Sequence, residues 1–215
     1  LESIGTAIYD GDFKRNTPLE IATVAGGFGY GSGSNQLYNP RGVFIDAEGT
    51  MFVVDQTNGR IQKWAKGAKE GKTIISGLTD PVDVFVDEMG NMFVLDTYGR
   101  NIRKIEFDTT NNTIVAGGNG PGGALNQLNG AQGFFIDAFG NIYVADTANN
   151  RIQKWAPDDA EGITVAGGNG PGSASNQLSN PYAVHVDSEG NIYVADTNNN
   201  RIQKWAVGAI EGVTV

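Results

Sequence analysis

The sequence predicts an all-β fold of repeated four-stranded antiparallel sheets. Three observations support this prediction: one 16-residue stretch recurs almost unchanged, short apolar runs alternate with turn residues, and 31 of the 215 residues are glycine. The stretch "NIYVADTANNRIQKWA" at 141–156 differs at one position from "NIYVADTNNNRIQKWA" at 191–206. Four antiparallel strands repeated every 40 to 50 residues are typical of the blades of a β-propeller.

A recurring aspartate at the end of the first apolar run sets the period. It occurs at Asp46, Asp87, Asp137 and Asp187, with spacings of 41, 50 and 50 residues. We therefore predict a propeller region over 21–215 with blades at about 42–76, 82–115, 133–165 and 183–215. Residues 1–20 are predicted to form a degenerate segment or partial blade, and 21–24 an extra outer strand.

The apolar runs of four to six residues are rich in Val, Ile, Phe and Tyr, which favours strands over helices. The connections "DAEGT", "DEMGN", "DAFGN" and "DSEGN" predict tight hairpins, because Gly and Asn tolerate a positive φ. The connections "DQTNGR", "DTANNR" and "DTNNNR" predict a second turn whose Asp accepts local backbone N–H groups. The segments "TII", "TIVAGG", "ITVAGG" and "VTV" then supply the fourth strand of each blade.

The unit "PRGVFIDAEGTMFVVD", followed by "NGRIQKW", resembles the NHL repeat family. The resemblance covers about residues 40–215 and is most specific in the third and fourth units. It implies a propeller, and the family usually closes a ring of six blades. Since only four NHL-like blades and a partial N-terminal segment are present, we expect an incomplete or open ring. Three arrangements stay open: a ring closed by four blades, part of a longer chain, or completion by another chain.

Several polar and aromatic positions recur once in each unit. A residue needed once for chemistry has no reason to recur in every blade, so we predict structural roles for them instead of acid, metal or sugar-stacking sites. The recurring positions are Asp55, Asp96, Asp146 and Asp196; Arg60, Arg151 and Arg201; and Trp64, Trp155 and Trp205. The second unit departs from the pattern, with Asn101 in place of the arginine and Ile105 in place of the tryptophan.

Two further features have ordinary structural interpretations. The stretch "GGNGPGG" at 117–123 fits a dinucleotide-binding pattern, but it leads into a strand and not a helix. The glycine-rich loops 28–40, 119–131 and 169–181 instead predict a latch between blades, with "NQL" in each. His185 aligns with phenylalanines of the other units and is predicted to be a buried or half-buried substitute.

The informative positions are those that vary inside the fixed frame, at the entry of the innermost strand. Side chains there would line one rim of the central channel, where propellers commonly bind ligands. Their neighbours are mostly small, as expected where strands crowd the axis. We therefore predict that a ligand meets Arg41, Asp83, Gln132 and Tyr182.

Composition restricts the function classes. A formal net charge of −9 argues against nucleic-acid binding, and no apolar run is long enough for membrane insertion. With one histidine and no cysteine, the sequence predicts no catalytic residue, no cofactor and no metal site. The triplet at Asn111 is a glycosylation candidate. That triplet, together with a start at Leu1 that fits a processed chain, leads us to expect an extracellular or cell-surface protein.

We predict a non-catalytic interaction or scaffold protein that presents loops to a protein partner. It would also assemble with itself through blade ends, as a homo-oligomer or fibre. One alternative is a carbohydrate-binding module using Tyr182 and the tryptophans on a glycan. Another is a metal-dependent propeller lyase or lactonase, for which Asp83 and His185 are the available side chains.

Overall fold

Each repeat forms one four-stranded antiparallel sheet in the computed structural model, which describes residues 22–109 and 111–215. Blade I contains β1 (Pro40–Ile45), β2 (Met51–Asp55), β3 (Arg60–Trp64) and β4 (Lys72–Ser76). Blade II contains β5 (Pro81–Val86), β6 (Met92–Asp96), β7 (Asn101–Ile105) and β8 (Asn112–Gly117). Blade III contains β9 (Gly133–Ile136), β10 (Ile142–Asp146), β11 (Arg151–Trp155) and β12 (Ile163–Gly167). Blade IV contains β13 (Pro181–Val186), β14 (Ile192–Asp196), β15 (Arg201–Trp205) and β16 (Val213–Thr214).

The predicted all-β propeller is confirmed. Strands follow one another in sequence order within every sheet, from an innermost first strand to an outermost fourth strand. The innermost strands of successive blades contact each other, from β1 to β5, from β5 to β9 and from β9 to β13. The four blades therefore lie in a ring around a common axis. No helix within the described ranges has the length and apolar character needed to cross a membrane.

The hairpin between the first two strands is held by the recurring aspartate. Asp137 Oδ1 accepts hydrogen bonds from the backbone N–H groups of Phe139 and Asn141, both at 2.9 Å. Gly140 has a φ of +80°, which a residue with a Cβ rarely adopts. The same arrangement recurs at Asp87 and Asp187, so the short polar sequence determines the turn in each blade.

Three apolar cores lie between the blades, one for each consecutive pair. Blade II presents Val84, Val86 and Val94 to Phe52, Val54 and Ile61 of blade I. The cores between blades II and III and between blades III and IV use the equivalent positions. In blades II and III, one face of the sheet thus packs on the preceding blade and the opposite face on the following blade, as nearest-neighbour packing requires.

The outward faces of blades I and IV are not packed in this way by any described residue. Val43 and Ile45 of blade I are 59% and 58% exposed, whereas the equivalent Val84 and Val86 of blade II are 4% and 7% exposed. On blade IV, Ile202 is 43% exposed, although Ile61, Ile102 and Ile152 at the same position are 0% exposed. The ring is therefore open between blade IV and blade I over the part of the chain that the structure describes.

The structure differs from two predictions, both for residues near the open ends of the ring. His185 is exposed and not buried, because no described blade covers the face of blade IV that carries it. Residues 22–24 of the predicted outer strand 21–24 are not in a strand. Their sequence corresponds to β8, the fourth strand of the blade before blade III, and no described sheet precedes blade I to pair with them. Ile21 and the predicted N-terminal segment 1–20 lie outside the described residues.

Candidate functional site

The rim at the start of the innermost strands brings together side chains from different blades. The Arg41 Nη2 group donates a hydrogen bond of 2.8 Å to Gln132 Oε1, which joins blade I to the residue preceding blade III. Strand pairing shifts by one residue between Pro40 and Val43, and the same irregularity recurs in blades II and IV. Such bulges redirect side chains, so Arg41 at the start of β1 does not follow the regular inward–outward alternation of that strand.

The other two predicted rim residues lie on strands of blades II and IV. Tyr182 is 47% exposed at the start of β13. A Cβ atom at Gly133 would approach the Tyr182 carbonyl oxygen to 2.7 Å, and one at Gly42 would approach Asp83 Cα to 2.9 Å. The small residues thus permit close contact of the innermost strands near the axis. A ligand role for Arg41, Asp83, Gln132 and Tyr182 stays a prediction.

Asp83 is a carboxylate without a cationic partner in its described surroundings. Its Oδ1 accepts a hydrogen bond from its neighbour Val84 N at 3.0 Å, and Oδ2 accepts one from Phe134 N of blade III at 3.4 Å. Burial raises the pKa of Asp83 to about 6, and the two backbone hydrogen bonds only partly oppose this effect. The rim therefore contains a group that changes charge near neutral pH.

The recurring aspartate and arginine form buried ion pairs within each of blades I, III and IV. The Arg151 Nε group donates to Asp146 Oδ2 at 2.7 Å. Arg151 also donates to the carbonyl oxygens of Gly123 at 2.8 Å and Ala124 at 3.0 Å, in the glycine-rich loop before its blade. Burial raises the pKa of Asp146, while hydrogen bonds from Asn149, Asn129 and Arg151 oppose the shift. The pair holds the loop against the blade that follows it.

Blade II lacks both the arginine and the long loop. Its Asp96 instead accepts hydrogen bonds from the backbone N–H groups of Thr79, Asp80 and Gly99. Asn101 is buried where the arginine would be, and it donates to the Gly99 carbonyl oxygen at 2.6 Å. The arginine is therefore present wherever there is a long loop to bind, which accounts for its recurrence without a catalytic role.

The tryptophans lie beneath the same loops and are buried. A Cβ atom at Gly71 would lie 2.7 Å from the Trp64 ring, and Gly162 and Gly212 approach Trp155 and Trp205 almost as closely. Gly71 N donates to the Ser34 carbonyl oxygen of the loop at 2.8 Å. Buried rings offer no face to a sugar, so the tryptophans are not available as a stacking platform.

The glycine-rich loops close through the Gln and Leu of "NQL", while the Asn contributes its backbone carbonyl. Gln127 Nε2 donates to the Asn119 carbonyl oxygen at 2.9 Å, and Asn119 Nδ2 donates to the Asn126 carbonyl oxygen at 3.1 Å. Leu128 is buried in the core between blades II and III. The predicted latch thus has a physical basis.

The glycosylation candidate lies on the turn between β7 and β8. Asn111 is exposed, and its Nδ2 group donates to Glu106 Oε2 at 2.9 Å. Sequence reasoning missed Asn149, which donates both to Asp146 Oδ2 and to the Gly122 carbonyl oxygen at 2.8 Å. Its recurrence at Asn58 and Asn199 was the available signal.

Residues 178–205, which contain the first three strands of blade IV, match the NHL repeat family. The fourth blade is an NHL repeat. The predicted resemblance is thereby confirmed, and the NHL repeat contains Asp196, Arg201 and Trp205 of the structural set described above. No curated protein matches the chain in sequence.

Solved structures share the fold at low sequence identity. An auxiliary nutrient binding protein from Bacteroides thetaiotaomicron has a TM-score of 0.65 and 17% identity, covering 79% of this chain and 48% of that protein. Virginiamycin B lyase from Staphylococcus aureus has a TM-score of 0.61 and 14% identity, covering 85% of this chain and 57% of the lyase. The chain thus spans about half the length of the structures it matches.

Removing the arginine of a buried aspartate–arginine ion pair should destabilise the protein. We expect Arg151→Ala to lower the free energy of unfolding by about 3 kcal/mol or more, because the buried Asp146 carboxylate would lose its cation. Chemical denaturation measures this change. Lys69→Ala, on an exposed turn, is the control and should change stability by less than about 0.5 kcal/mol. Equal effects of the two substitutions would contradict a stabilising role for the Asp146–Arg151 ion pair.

The half-buried carboxylate of Asp83 at the axial rim should make stability depend on pH. The pKa of Asp83 is about 6 in the folded state and 3.8 in its ordinary state, so folding is favoured while Asp83 is protonated. Stability should therefore fall by about 1–3 kcal/mol as pH rises from 4 to 6. Asp83→Asn should remove this component and raise stability at pH 7. Urea unfolding of both proteins across this range tests it, and parallel pH curves would refute it.

Proposed function

We propose that this chain is a non-catalytic interaction module that assembles through the open faces of its end blades. The observation that carries the proposal is the pair of uncovered apolar faces, on blade I at Val43 and Ile45 and on blade IV at Ile202. Blade I presents the side that blades II to IV pack on a preceding blade. Blade IV presents the side that blades I to III pack on a following blade. The two faces therefore complement each other.

The proposed occupant is a second copy of this chain in a head-to-tail arrangement. The contact would reproduce the internal blade-to-blade interface, with blade I of one copy following blade IV of another. Such a contact is heterologous, so it gives a ring if the rotation between copies closes and a fibre if it does not. Burial of apolar side chains such as Val43, Ile45 and Ile202 would supply the free energy of association.

The non-catalytic part of the proposal is supported by the roles of the polar residues. The buried aspartate–arginine pairs hold the loop that precedes their own blade, as described for Asp146 and Arg151. Within the two described ranges, no three His, Cys, Asp or Glu side chains cluster closely enough to share a metal ion. His185 packs edge-on against Phe135, with ring centroids 4.6 Å apart.

We also propose an extracellular or cell-surface location, for which the exposed Asn111 on its turn is the structural support. A glycan at this asparagine would extend into solvent from the outer rim. Expression in a secreting eukaryotic host, followed by glycosidase treatment and mass spectrometry, tests occupancy. Unmodified Asn111 in that host would remove this support.

Charged substitutions on either open face should block self-association. We expect Val43→Asp and Ile202→Asp each to give monomers at concentrations where the parent chain forms larger species, because a carboxylate would be buried in the contact. Light scattering after size-exclusion chromatography measures the mass. Ile114→Asp is the control, since Ile114 is 52% exposed on an outer strand away from both open faces.

Mixing the two variants tests the head-to-tail geometry. Each variant retains one intact open face, so an equimolar mixture should form a one-to-one dimer that grows no further. A parent chain that stays monomeric at high concentration would overturn the assembly proposal. A mixture that stays monomeric while the parent associates would overturn the head-to-tail contact.

A further inference from the structure

A groove separates blades I and II on the side of the hairpin turns. We call it the I/II groove. Its cavity volume is about 780 Å³. Its apolar floor consists of Phe44, Phe52 and Ile74 from blade I and Met92, Ile105 and Phe107 from blade II. A cavity of this volume is within the range of small-molecule sites.

The I/II groove exists because blade II lacks the tryptophan and the loop that occupy the equivalent wedge elsewhere. At the next interface, Trp155 fills the space beside β8, and the remaining cavity is about 320 Å³. Ile105 occupies the tryptophan position of blade II, and its strand partner is Asn112 where the other blades have glycine. The nine-residue difference between the spacings of 41 and 50 is the missing loop. The groove is therefore open because blade II lacks the glycine-rich loop, the tryptophan ring and the glycine that packs beside that ring.

The rim of the I/II groove is strongly acidic. Three turns of two blades contribute six carboxylates, whereas the lining contains one lysine. These carboxylates are Asp46, Glu48, Asp87, Glu88, Glu106 and Asp108. They place a large part of the chain's net charge of −9 around one apolar cavity.

Part of this acidic rim is not used by the fold. Asp46 and Asp87 accept hydrogen bonds from their own hairpin turns, and Glu106 accepts one from Asn111. Glu48 and Glu88 are exposed at the mouth of the groove. Lys63 Nζ lies 5.4 Å from the centroid of the Phe52 ring, so an aromatic face of the groove already accommodates an ammonium group.

We propose that the I/II groove binds a small organic cation with an apolar body. The aromatic and aliphatic floor would bury the body, and the rim carboxylates would attract the ammonium group. An anion of the same shape would be repelled by the same rim. The site is separate from the axial rim, and it touches the open face of blade I only at Ile45. Binding there does not require the proposed self-association.

Matched probes test the charge requirement. The probes are 4-phenylbutylamine, which is a cation at pH 7, and 4-phenylbutyrate, its anionic analogue. We expect the amine to bind one site per chain with a Kd of about 1 mM or tighter. We expect the carboxylate to bind at least about tenfold more weakly, because its charge has the same sign as the rim. Calorimetry at low salt, with NMR shift mapping of the site, measures both.

Restoring the repeat should close the site. The double variant Ile105→Trp with Asn112→Gly recreates the ring–glycine pair of the other blades, and we expect amine binding to fall at least tenfold as the ring enters the cavity. Circular dichroism checks that the fold is retained. Glu48→Gln and Glu88→Gln avoid any change in packing, and each should weaken binding about twofold to fivefold. Glu189→Gln, at the position in blade IV equivalent to Glu48, is the control and should have no effect.

Several outcomes would overturn the proposal. Equal affinity for amine and carboxylate would show that charge plays no part. Full amine binding by a folded double variant, or NMR shifts confined to the axial rim, would place the ligand elsewhere. Absence of amine binding at several millimolar to the folded parent chain would remove the site altogether.

Discussion

Burial of apolar blade faces against neighbouring blades is the constraint on which the rest of this structure depends. A four-stranded antiparallel sheet with apolar side chains on both faces gains stability from each neighbouring blade that covers a face. Ile61, Ile102 and Ile152 are fully buried because a following blade covers them, while Ile202 has the same sequence context and remains exposed. The difference arises from position along the row of blades and not from local sequence.

The second constraint is the coupling between a long loop and the blade that follows it. A glycine-rich loop has many carbonyl groups to satisfy, and a guanidinium can satisfy several at once, as Arg60 does with Ser32, Gly33 and Gln36. The loop in turn covers the tryptophan, and the tryptophan needs a glycine beside it. The four features therefore appear together or not at all, and blade II has none of them.

The repeat could be predicted from the sequence because it is local and periodic. Turn residues, strand runs and the aspartate–arginine spacing all follow from neighbours within a few positions. The contact between Arg41 and Gln132 joins residues 91 positions apart, so no local pattern could indicate it. The exposure of His185 was mispredicted for a similar reason, because alignment with the half-buried phenylalanines of the other blades assumes a following blade. The I/II groove had a signal in the short spacing and in Ile105, but its acidic rim is formed by three separate turns.

Function is best sought where the repeated arrangement is broken. Residues that recur in each blade have partners within the fold, as the three ion pairs of 2.6 to 2.7 Å illustrate. Two features differ: Asp83 is a half-buried carboxylate with no cationic partner among the described residues, and the I/II groove is an open apolar cavity. Both features oppose stability, since burying a charge and leaving a cavity each cost free energy. The other three blades carry a tryptophan at the position of Ile105, whereas blade II leaves the space open and surrounds it with negative charge.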